Sequence, residues 1–146
     1  MLAHETRFRA RYAETDQMGV VYHSNYVIWF EVGRVELCRS LGVRYRDMER
    51  EGVLLAVAEV NCRYLSPVRY DDEIAIKAWV ESATARMIQF GYEVRVAESG
   101  RLAARGYTKH LFCNRDLQRI RLPERYWAAF GVSERFDRQE KPSGRE

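Results

Sequence analysis

The segment at residues 25–41, NYVIWFEVGRVELCRSL, constrains the fold more than any other part of the chain. It is too long for a typical strand and is followed by Gly42, a residue type that commonly ends helices, so the pattern predicts a helix. Apolar side chains surround nearly its whole circumference, namely Val27, Ile28, Trp29, Phe30, Val32, Val35, Leu37 and Cys38. Such a helix must be covered by other structure. We therefore expect the rest of the chain to wrap around it.

Strand periodicity replaces helical periodicity after this segment. Residues 54–65, 73–81 and 86–96 alternate apolar and polar side chains, a turn is expected at 98–101, and a last strand runs to about Cys113. The first of these strands is predicted to place on one face Leu54, Ala56, Ala58, Val60, Cys62 and Tyr64. Each strand has one polar face, which is typical of an antiparallel sheet with one side in solvent.

Three shorter elements complete the order. Residues 6–12 alternate well enough for a first strand, with Phe8, Ala10 and Tyr12 on one face. Residues 45–52 are predicted to form a short second helix, and residues 123–130 a closing helix that begins at a proline.

This order predicts a single α+β domain at residues 1–132, in which one antiparallel sheet wraps around one long buried helix. The polar segment at 133–146, SERFDRQEKPSGRE, is expected to be a disordered tail.

Composition excludes several classes of protein. The net charge of +3 is small, and arginines are scattered among acids, so a nucleic-acid partner is not expected. The three cysteines are isolated in the sequence, which favours reduced thiols in a cytoplasmic protein over a disulfide framework. No signal-peptide pattern is recognised and no apolar run approaches the ~18 residues of a membrane span, so we expect a cytoplasmic location.

The segment at residues 12–26, YAETDQMGVVYHSNY, places an acid in a loop directly ahead of the apolar helix. The first turn of a helix carries unpaired N–H groups and a partial positive charge. Gly19 lets the backbone turn back between Asp16 and the start of the helix. The loop is therefore expected to hold the Asp16 carboxylate against the helix end. The residues alone explain Asp16 equally well as the cap of a turn.

The longer segment RYAETDQMGVVYHSNYVIWFEVGR resembles the active-site segment of the hotdog-fold acyl-CoA thioesterases, in particular the 4-hydroxybenzoyl-CoA thioesterase/YbgC-like family. The matching positions are Tyr12, Asp16, Gly19, Val21, Tyr22, His23, Asn25 and Tyr26. The stretch YLSPVRYDDEI at 64–74 resembles the family's second strand and the turn into its third. The resemblance extends over the order of elements from about residue 5 to residue 130. It implies a hotdog fold and the hydrolysis of an acyl-CoA thioester to a free acid and CoA.

Residue roles follow from the resemblance position by position. It implies Asp16 as the catalytic nucleophile or general base, and the backbone amide of His23 as the donor to the thioester oxygen. The side chains of Tyr12 and His23 are expected to line the site. Further substrate contacts are expected from Tyr22, Asn25 and Tyr26. As alternatives, the tyrosines can be aromatic residues at the edge of the core, and the His23 side chain can take no part in chemistry.

Glu31 lies on the nearly all-apolar helix, where a buried carboxylate needs a partner. We expect an ion pair with Arg34 or Arg63. Without such a pair, Glu31 becomes a second candidate acid facing the site.

The sequence also allows predictions about how CoA is bound and about the oligomeric state. The nucleotide end of CoA carries phosphates, which arginine and lysine bind well. The candidates on strands or turns are Arg63, Arg69, Arg86 and Lys109, although each is equally explained as a solvated surface charge. Hotdog domains have exposed strand edges that invite pairing, so the resemblance implies a homodimer or homotetramer with the site at the interface.

Other catalytic motifs are absent from the sequence. The isolated histidines and cysteines have no zinc-binding spacing, and neither a GxSxG elbow nor a GxxxxGK[ST] loop occurs. No metal and no cofactor are expected. Three functions stay in view: an acyl-CoA thioesterase; a related hotdog enzyme that acts on acyl carrier protein thioesters or a hydratase; and a non-catalytic acyl-CoA-binding module. The spacing of seven residues between Asp16 and His23 fits the thioesterase better than the hydratase.

Overall fold

The periodicities of the sequence correspond to elements in the computed structural model, which describes residues 2–133. Apart from Ser133, the predicted tail lies outside the described residues. The strands are β1 (Ala3–Arg9), β2 (Leu54–Tyr64), β3 (Glu73–Ala83), β4 (Met87–Val96) and β5 (Arg101–Cys113). The helices are α1 (Ser24–Ser40), α2 (Tyr45–Arg50) and α3 (Trp127–Phe130), with short 3₁₀ turns at Tyr12–Glu14 and Glu124–Tyr126. The predicted α+β class is confirmed.

The strands form one antiparallel sheet with the order β1-β3-β4-β5-β2. Chain neighbours β3, β4 and β5 occupy the centre, while β2 crosses over to pair with β5. As a result, β1 and β2 are the two edges of the sheet.

Helix α1 lies across one face of this sheet, mainly on β3 and β1. The side chains and the glycine that it buries are Tyr26, Trp29, Phe30, Gly33, Arg34, Leu37 and Cys38. Gly33 permits a close approach, because a Cβ atom at this position would come within 2.8 Å of Ile76 Cγ2 on β3.

The expectation that α1 is covered on all sides is wrong for the side that faces away from the sheet. There Ile28 is 53% exposed and Val32 is 37% exposed. Glu31 is exposed on the same helix and, within residues 2–133, has no hydrogen-bonding or ion-pair partner. The predicted pairs of Glu31 with Arg34 or Arg63 are therefore also wrong: the sheet covers one side of the helix only, so this carboxylate keeps its hydration.

Two strand predictions need correction. The register of β2 against β5 shifts between Val57 and Glu59, which makes Ala58 an extra residue in the strand. One inserted residue exchanges the two faces of a strand, so the single apolar face predicted along β2 is wrong ahead of this bulge. Strand β1 begins and ends about three residues earlier than predicted, and Tyr12 starts a 3₁₀ turn instead of continuing the strand.

Within residues 2–133, no helix has both the length and the apolar character needed to span a bilayer.

Candidate active site

The loop ahead of α1 folds into a narrow hairpin. Thr15 and Val21 form an isolated antiparallel bridge, and the amide of Asp16 donates to the carbonyl of Val20 at 2.9 Å. The amide of Gly19 donates to the carbonyl of Asp16 at 3.0 Å. Gly19 has a φ of +76°, in the left-handed region that favours glycine. The backbone turn predicted at Gly19 is confirmed, and it returns the chain to the start of the helix.

Asp16 caps this turn with one of its carboxylate oxygens. Oδ1 accepts a hydrogen bond from the amide of Met18 at 2.8 Å. The other oxygen accepts no hydrogen bond from residues 2–133, and the side chain is partly exposed. One carboxylate can therefore hold the turn and still present a free oxygen to solvent or to a ligand.

That carboxylate lines a cavity of about 370 Å³ at the start of α1. Its walls include Asp16, His23, Tyr26, Tyr64 and Ser66. The apolar walls and the single acid resemble a small-molecule site, in which apolar surface binds the ligand and a few polar groups orient it.

The end of β2 holds the first residues of α1 in place. The hydroxyl of Tyr64 donates to the carbonyl of His23 at 2.9 Å. Asn25 Nδ2 donates to the carbonyl of Glu14 at 2.8 Å, which ties the helix to the 3₁₀ turn. Within residues 2–133, the amide of His23 has no acceptor. A hydrogen-bond donor is thus available at the helix start, beside the same cavity as Asp16.

Tyr26 is the most deeply buried aromatic wall of the cavity. Its ring packs edge-to-face on Tyr64, with 5.2 Å between the ring centroids. Burial raises the pKa of the Tyr26 hydroxyl, so this phenol is protonated at neutral pH.

Glu14, the other acid of the loop, has a structural setting that the sequence did not reveal. It is buried, and its Oε2 accepts from Trp29 Nε1 at 2.6 Å. Its Oε1 accepts from the amide of Arg11 at 2.8 Å and from Arg11 Nε at 3.3 Å. The carboxylate is therefore committed to joining the loop to α1. The only sequence signal was the spacing of fifteen residues between an acid and a helical tryptophan, which carries little information by itself.

Tyr12 and Tyr22 lie outside the walls of the cavity in this chain. Tyr12 is 77% exposed, with its ring edge-to-face against Tyr70. Tyr22 is half-exposed and packs against the ring of His23, with 4.3 Å between centroids. The loop therefore brings together Asp16, His23 and Tyr26 of the predicted residues, while Asn25 acts through the backbone of Glu14.

Two arginines lie close to the cavity. Arg69 flanks the hairpin, since a Cβ atom at Gly19 would be 4.0 Å from Arg69 Nη1. Arg101 Nη1 donates to the carbonyl of the cavity residue Pro67 at 2.8 Å. Arg69 was among the predicted phosphate contacts, whereas Arg101 was not, because only the β5–β2 pairing brings the start of β5 to this end of the sheet.

The other predicted basic residues do not line the cavity of their own chain. Lys109 forms an ion pair with Glu59 at 3.3 Å in the middle of the sheet. Arg63 is exposed on β2, opposite Arg105 of β5. Arg86 precedes Met87, the first residue of β4. Met87 and Ala56 both pair with Leu111 of β5, so Arg86 lies level with the beginning of β2. Eight residues separate Ala56 from Tyr64, a distance of about 26 Å along the strand.

Two further observations concern the cysteine on α1 and the side chains that could bind a metal ion. Burial raises the pKa of the Cys38 thiol to about 12, so Cys38 does not supply a thiolate nucleophile at neutral pH. Within the described part of the chain, no cluster of three histidine, cysteine, aspartate or glutamate side chains could hold a metal ion.

Comparisons with known proteins identify the family of the chain. Residues 10–134 match the model of the thioesterase-like superfamily. The chain is 39% identical over 106 residues to the putative acyl-CoA thioesterase YneP of Bacillus subtilis (strain 168), covering 73% of this chain and 76% of that protein. It is 31% identical over 91 residues to the acyl-CoA thioester hydrolase YbgC of Escherichia coli O6:H1, covering 62% and 68%. The crystal structure of DHNA-CoA thioesterase from Staphylococcus aureus superposes with a TM-score of 0.83 at 38% identity, covering 90% of this chain and 87% of that one.

Proposed function

Since the chain belongs to the thioesterase-like superfamily, with its hotdog fold, and is an acyl-CoA thioesterase, we propose that the cavity at the start of α1 is its active site. In this proposal Asp16 is the nucleophile or general base. The main support for this proposal is that Asp16 and His23 line the same cavity. One oxygen of the Asp16 carboxylate accepts no hydrogen bond from residues 2–133, and the amide of His23 has no acceptor among those residues.

Thioester hydrolysis needs a base or nucleophile and a group that stabilises the negative charge on the carbonyl oxygen. In one route the Asp16 carboxylate attacks the carbonyl carbon, CoA leaves as the thiolate, and water then hydrolyses the acyl–Asp16 anhydride to the free acid. In the other route Asp16 removes a proton from a water that attacks the carbonyl carbon and expels CoA as the thiolate. The His23 amide and the partial positive charge of the α1 start stabilise the oxyanion. One such donor typically contributes about 2.7–4 kcal/mol to the lowering of the barrier.

The CoA phosphates require cations near the mouth of the cavity. We assign this role to Arg69, which flanks the hairpin between the cavity residues Met18 and Val20, and to Arg101, which donates to the cavity residue Pro67. Neither is assigned a contact with the acyl group, which instead meets the aromatic walls formed by Tyr26 and Tyr64.

A homodimer through the β2 edge completes this arrangement. The edge exposes a row of apolar side chains, Val57, Val60, Tyr64 and Leu65. Antiparallel pairing of two β2 strands sets the end of one beside the beginning of the other. The partner's strand β4 begins directly after the partner's Arg86. The start of that strand would then lie three strand spacings, about 14 Å, from the Tyr64 end of β2. The predicted role of Arg86 is thereby retained between subunits.

The test of Asp16 uses thiol release from a panel of acyl-CoA esters. The substitution Asp16→Asn keeps the turn cap, because asparagine accepts the same backbone hydrogen bond, but it removes the charge. We expect kcat to fall at least ~10²-fold with little change in KM, since the lost interaction belongs to the transition state. The matched control is Asp116→Asn, at an exposed aspartate in the loop after β5, which should retain full activity.

If folded Asp16→Asn retained a kcat within about threefold of the parent, Asp16 would be only a turn cap and the proposed chemistry would be wrong. Comparing the same acyl groups on CoA and on acyl carrier protein in this assay identifies the preferred carrier.

A further inference from the structure

Tyr64, the last residue of β2, contacts the start of α1 in two different ways. Its hydroxyl donates to the carbonyl of His23 at 2.9 Å, across 41 positions of sequence. Its ring packs edge-to-face on Tyr26, with 5.2 Å between the ring centroids, and on His23, with 6.2 Å between the ring centroids. The ring and the hydroxyl therefore have separate partners, and the hydroxyl is the part that binds the backbone at the helix start.

This hydrogen bond restrains the backbone on the carbonyl side of His23. The helix also contributes a bond to the same carbonyl, from the amide of Tyr26. The N···O distance of that bond is 3.3 Å, which is longer than the usual range of about 2.7–3.2 Å. The bond from the Tyr64 hydroxyl is therefore the stronger restraint on the His23 carbonyl.

On the amide side of His23, the restraints come from residues close in sequence. The carbonyl of Tyr22 accepts from the amide of Asn25 at 3.0 Å, and the amide of Tyr22 donates to the carbonyl of Glu14 at 2.9 Å. The backbone of His23 thus lies between two restrained peptide bonds. Its amide keeps a fixed direction toward the cavity only while both of them stay in place, and Tyr64 supplies the long-range part of that restraint.

We propose that Tyr64 is a positioning residue for thioester hydrolysis. Through the His23 carbonyl, its hydroxyl holds the His23 amide in the direction that the thioester oxygen requires. This inference rests on the proposed function, because it takes the His23 amide as the donor to the oxyanion. Positioning matters for the rate, since a displacement of about 1 Å can lower it ~10²-fold.

A direct role of the Tyr64 hydroxyl in proton transfer is disfavoured. Burial, and then the neighbouring Cys62 and Tyr26, raise the pKa of the Tyr64 hydroxyl to about 12. General acids and bases work best with a pKa near the operating pH. The hydroxyl also directs its proton to the His23 carbonyl. Tyr64→Phe should therefore lower the pH–rate profile without changing its shape.

The kinetic test separates the hydroxyl of Tyr64 from its ring. Tyr64→Phe removes the hydroxyl alone, and we expect kcat for thiol release to fall about 10-fold with KM within about twofold of the parent. Tyr64→Leu should in addition raise KM, because it also removes the aromatic wall. The matched control is Tyr107→Phe, which removes a hydroxyl that donates to Glu59 on the opposite face of the sheet and should leave both constants unchanged.

A spectroscopic test distinguishes positioning from a general loss of structure. The probe is a ketone analogue of acyl-CoA, in which a methylene group replaces the sulfur so that no hydrolysis occurs. Hydrogen bonding from the His23 amide should lower the carbonyl stretching frequency of the bound analogue, measured by infrared difference spectroscopy. Tyr64→Phe should reduce this shift, whereas Asp16→Asn, which leaves the His23 amide in place, should keep it.

Three results would overturn the positioning role. They are a kcat for Tyr64→Phe within about twofold of the parent, a loss confined to KM, and a fall in kcat with no change in the carbonyl shift. Retained activity in Asp16→Asn would instead contradict the proposed chemistry of Asp16, so the two failures are distinguishable.

Discussion

At the scale of single residues, the two acids of the loop ahead of α1 have different surroundings. Asp16 keeps one carboxylate oxygen uncommitted at the cavity, while Glu14 is buried against Trp29 and Arg11. The two carboxylates therefore differ in their hydrogen bonding. Asp16 keeps an oxygen that can contact a ligand, whereas both oxygens of Glu14 bind groups that join the loop to α1.

Glu14→Gln should lower the stability of the protein. The amide group of glutamine would face an N–H donor at one of the two positions that now accept, leaving buried donors unsatisfied. We expect a loss of about 1–3 kcal/mol in the free energy of unfolding, measured by urea denaturation. Glu36→Gln is the control, because its pair with Arg39 is partly exposed and should contribute at most ~0.5 kcal/mol. Equal losses in the two variants would contradict the structural role of Glu14.

His110 should make stability depend on pH. Burial, and secondarily the charge of Arg34, lower the pKa of His110 to about 3. In the unfolded chain a histidine has a pKa of about 6.5. Below that pH, His110 therefore binds a proton in the unfolded chain but stays neutral in the folded protein. Stability is therefore fully present above about pH 6.5 and is lost as the pH falls toward the folded-state pKa, with a slope of at most about 1.4 kcal/mol per pH unit.

The measurement is the free energy of unfolding between about pH 7 and pH 5, before most carboxylates titrate. His110→Gln should flatten the slope, whatever its effect on absolute stability. His4→Gln, a half-buried position on the edge strand β1, should leave the slope as it is in the parent. A parent slope near zero over this interval would show that His110 does not resist protonation.

At the scale of elements, the contact between α1 and β3 depends on the glycine in the helix. Gly33→Ala would place a methyl group 2.8 Å from Ile76 Cγ2. Overpacking of this kind costs about 1–3 kcal/mol, offset by up to ~1 kcal/mol from the better helix propensity of alanine. We expect a net loss of about 1–2 kcal/mol in denaturant unfolding.

A double-mutant cycle identifies the cause. In the background Ile76→Ala, the methyl group that crowds position 33 is gone, so Gly33→Ala should cost less than in the parent. We expect a coupling of at least ~0.5 kcal/mol between the two positions. Additive losses would mean that close approach of helix and sheet is not what position 33 requires.

At the scale of the whole molecule, we expect the exposed edge strand β2 to be the surface through which two chains pair. Edge strands present unpaired backbone groups, and this one also exposes the apolar side chains of Val57 and Val60. Sedimentation at micromolar concentration should therefore give twice the chain mass of 17.2 kDa or a multiple of it.

Val60→Lys would place a charge in the paired edge and should shift the protein toward a monomer, with thiol-release activity falling in parallel. Leu117→Lys, at an exposed apolar residue outside the sheet, should change neither mass nor activity. A parent protein that sediments as a monomer would refute assembly through β2.

Local sequence was sufficient to locate the helices, the strands and the loop ahead of α1. The period of apolar side chains is set by covalent spacing, so α1 and the strands after it could be located to within a few residues. Much of the loop is also local: the amide of Gly19 donates to the carbonyl of Asp16, and the amide of Tyr22 donates to the carbonyl of Glu14. Its position against the helix start followed from the short connection alone.

Features that depend on the pairing of distant segments required the folded structure. The pairing of β2 with β5 brings Arg101 to the cavity and leaves Lys109 in mid-sheet beside Glu59. The inserted residue Ala58 exchanges the faces of β2, a change that composition does not signal. The burial of Glu14 and of Arg34 arises in the same way. These features depend on which side of the helix the sheet covers, and that choice is made by the packing energy of the whole chain, not by any single stretch of it.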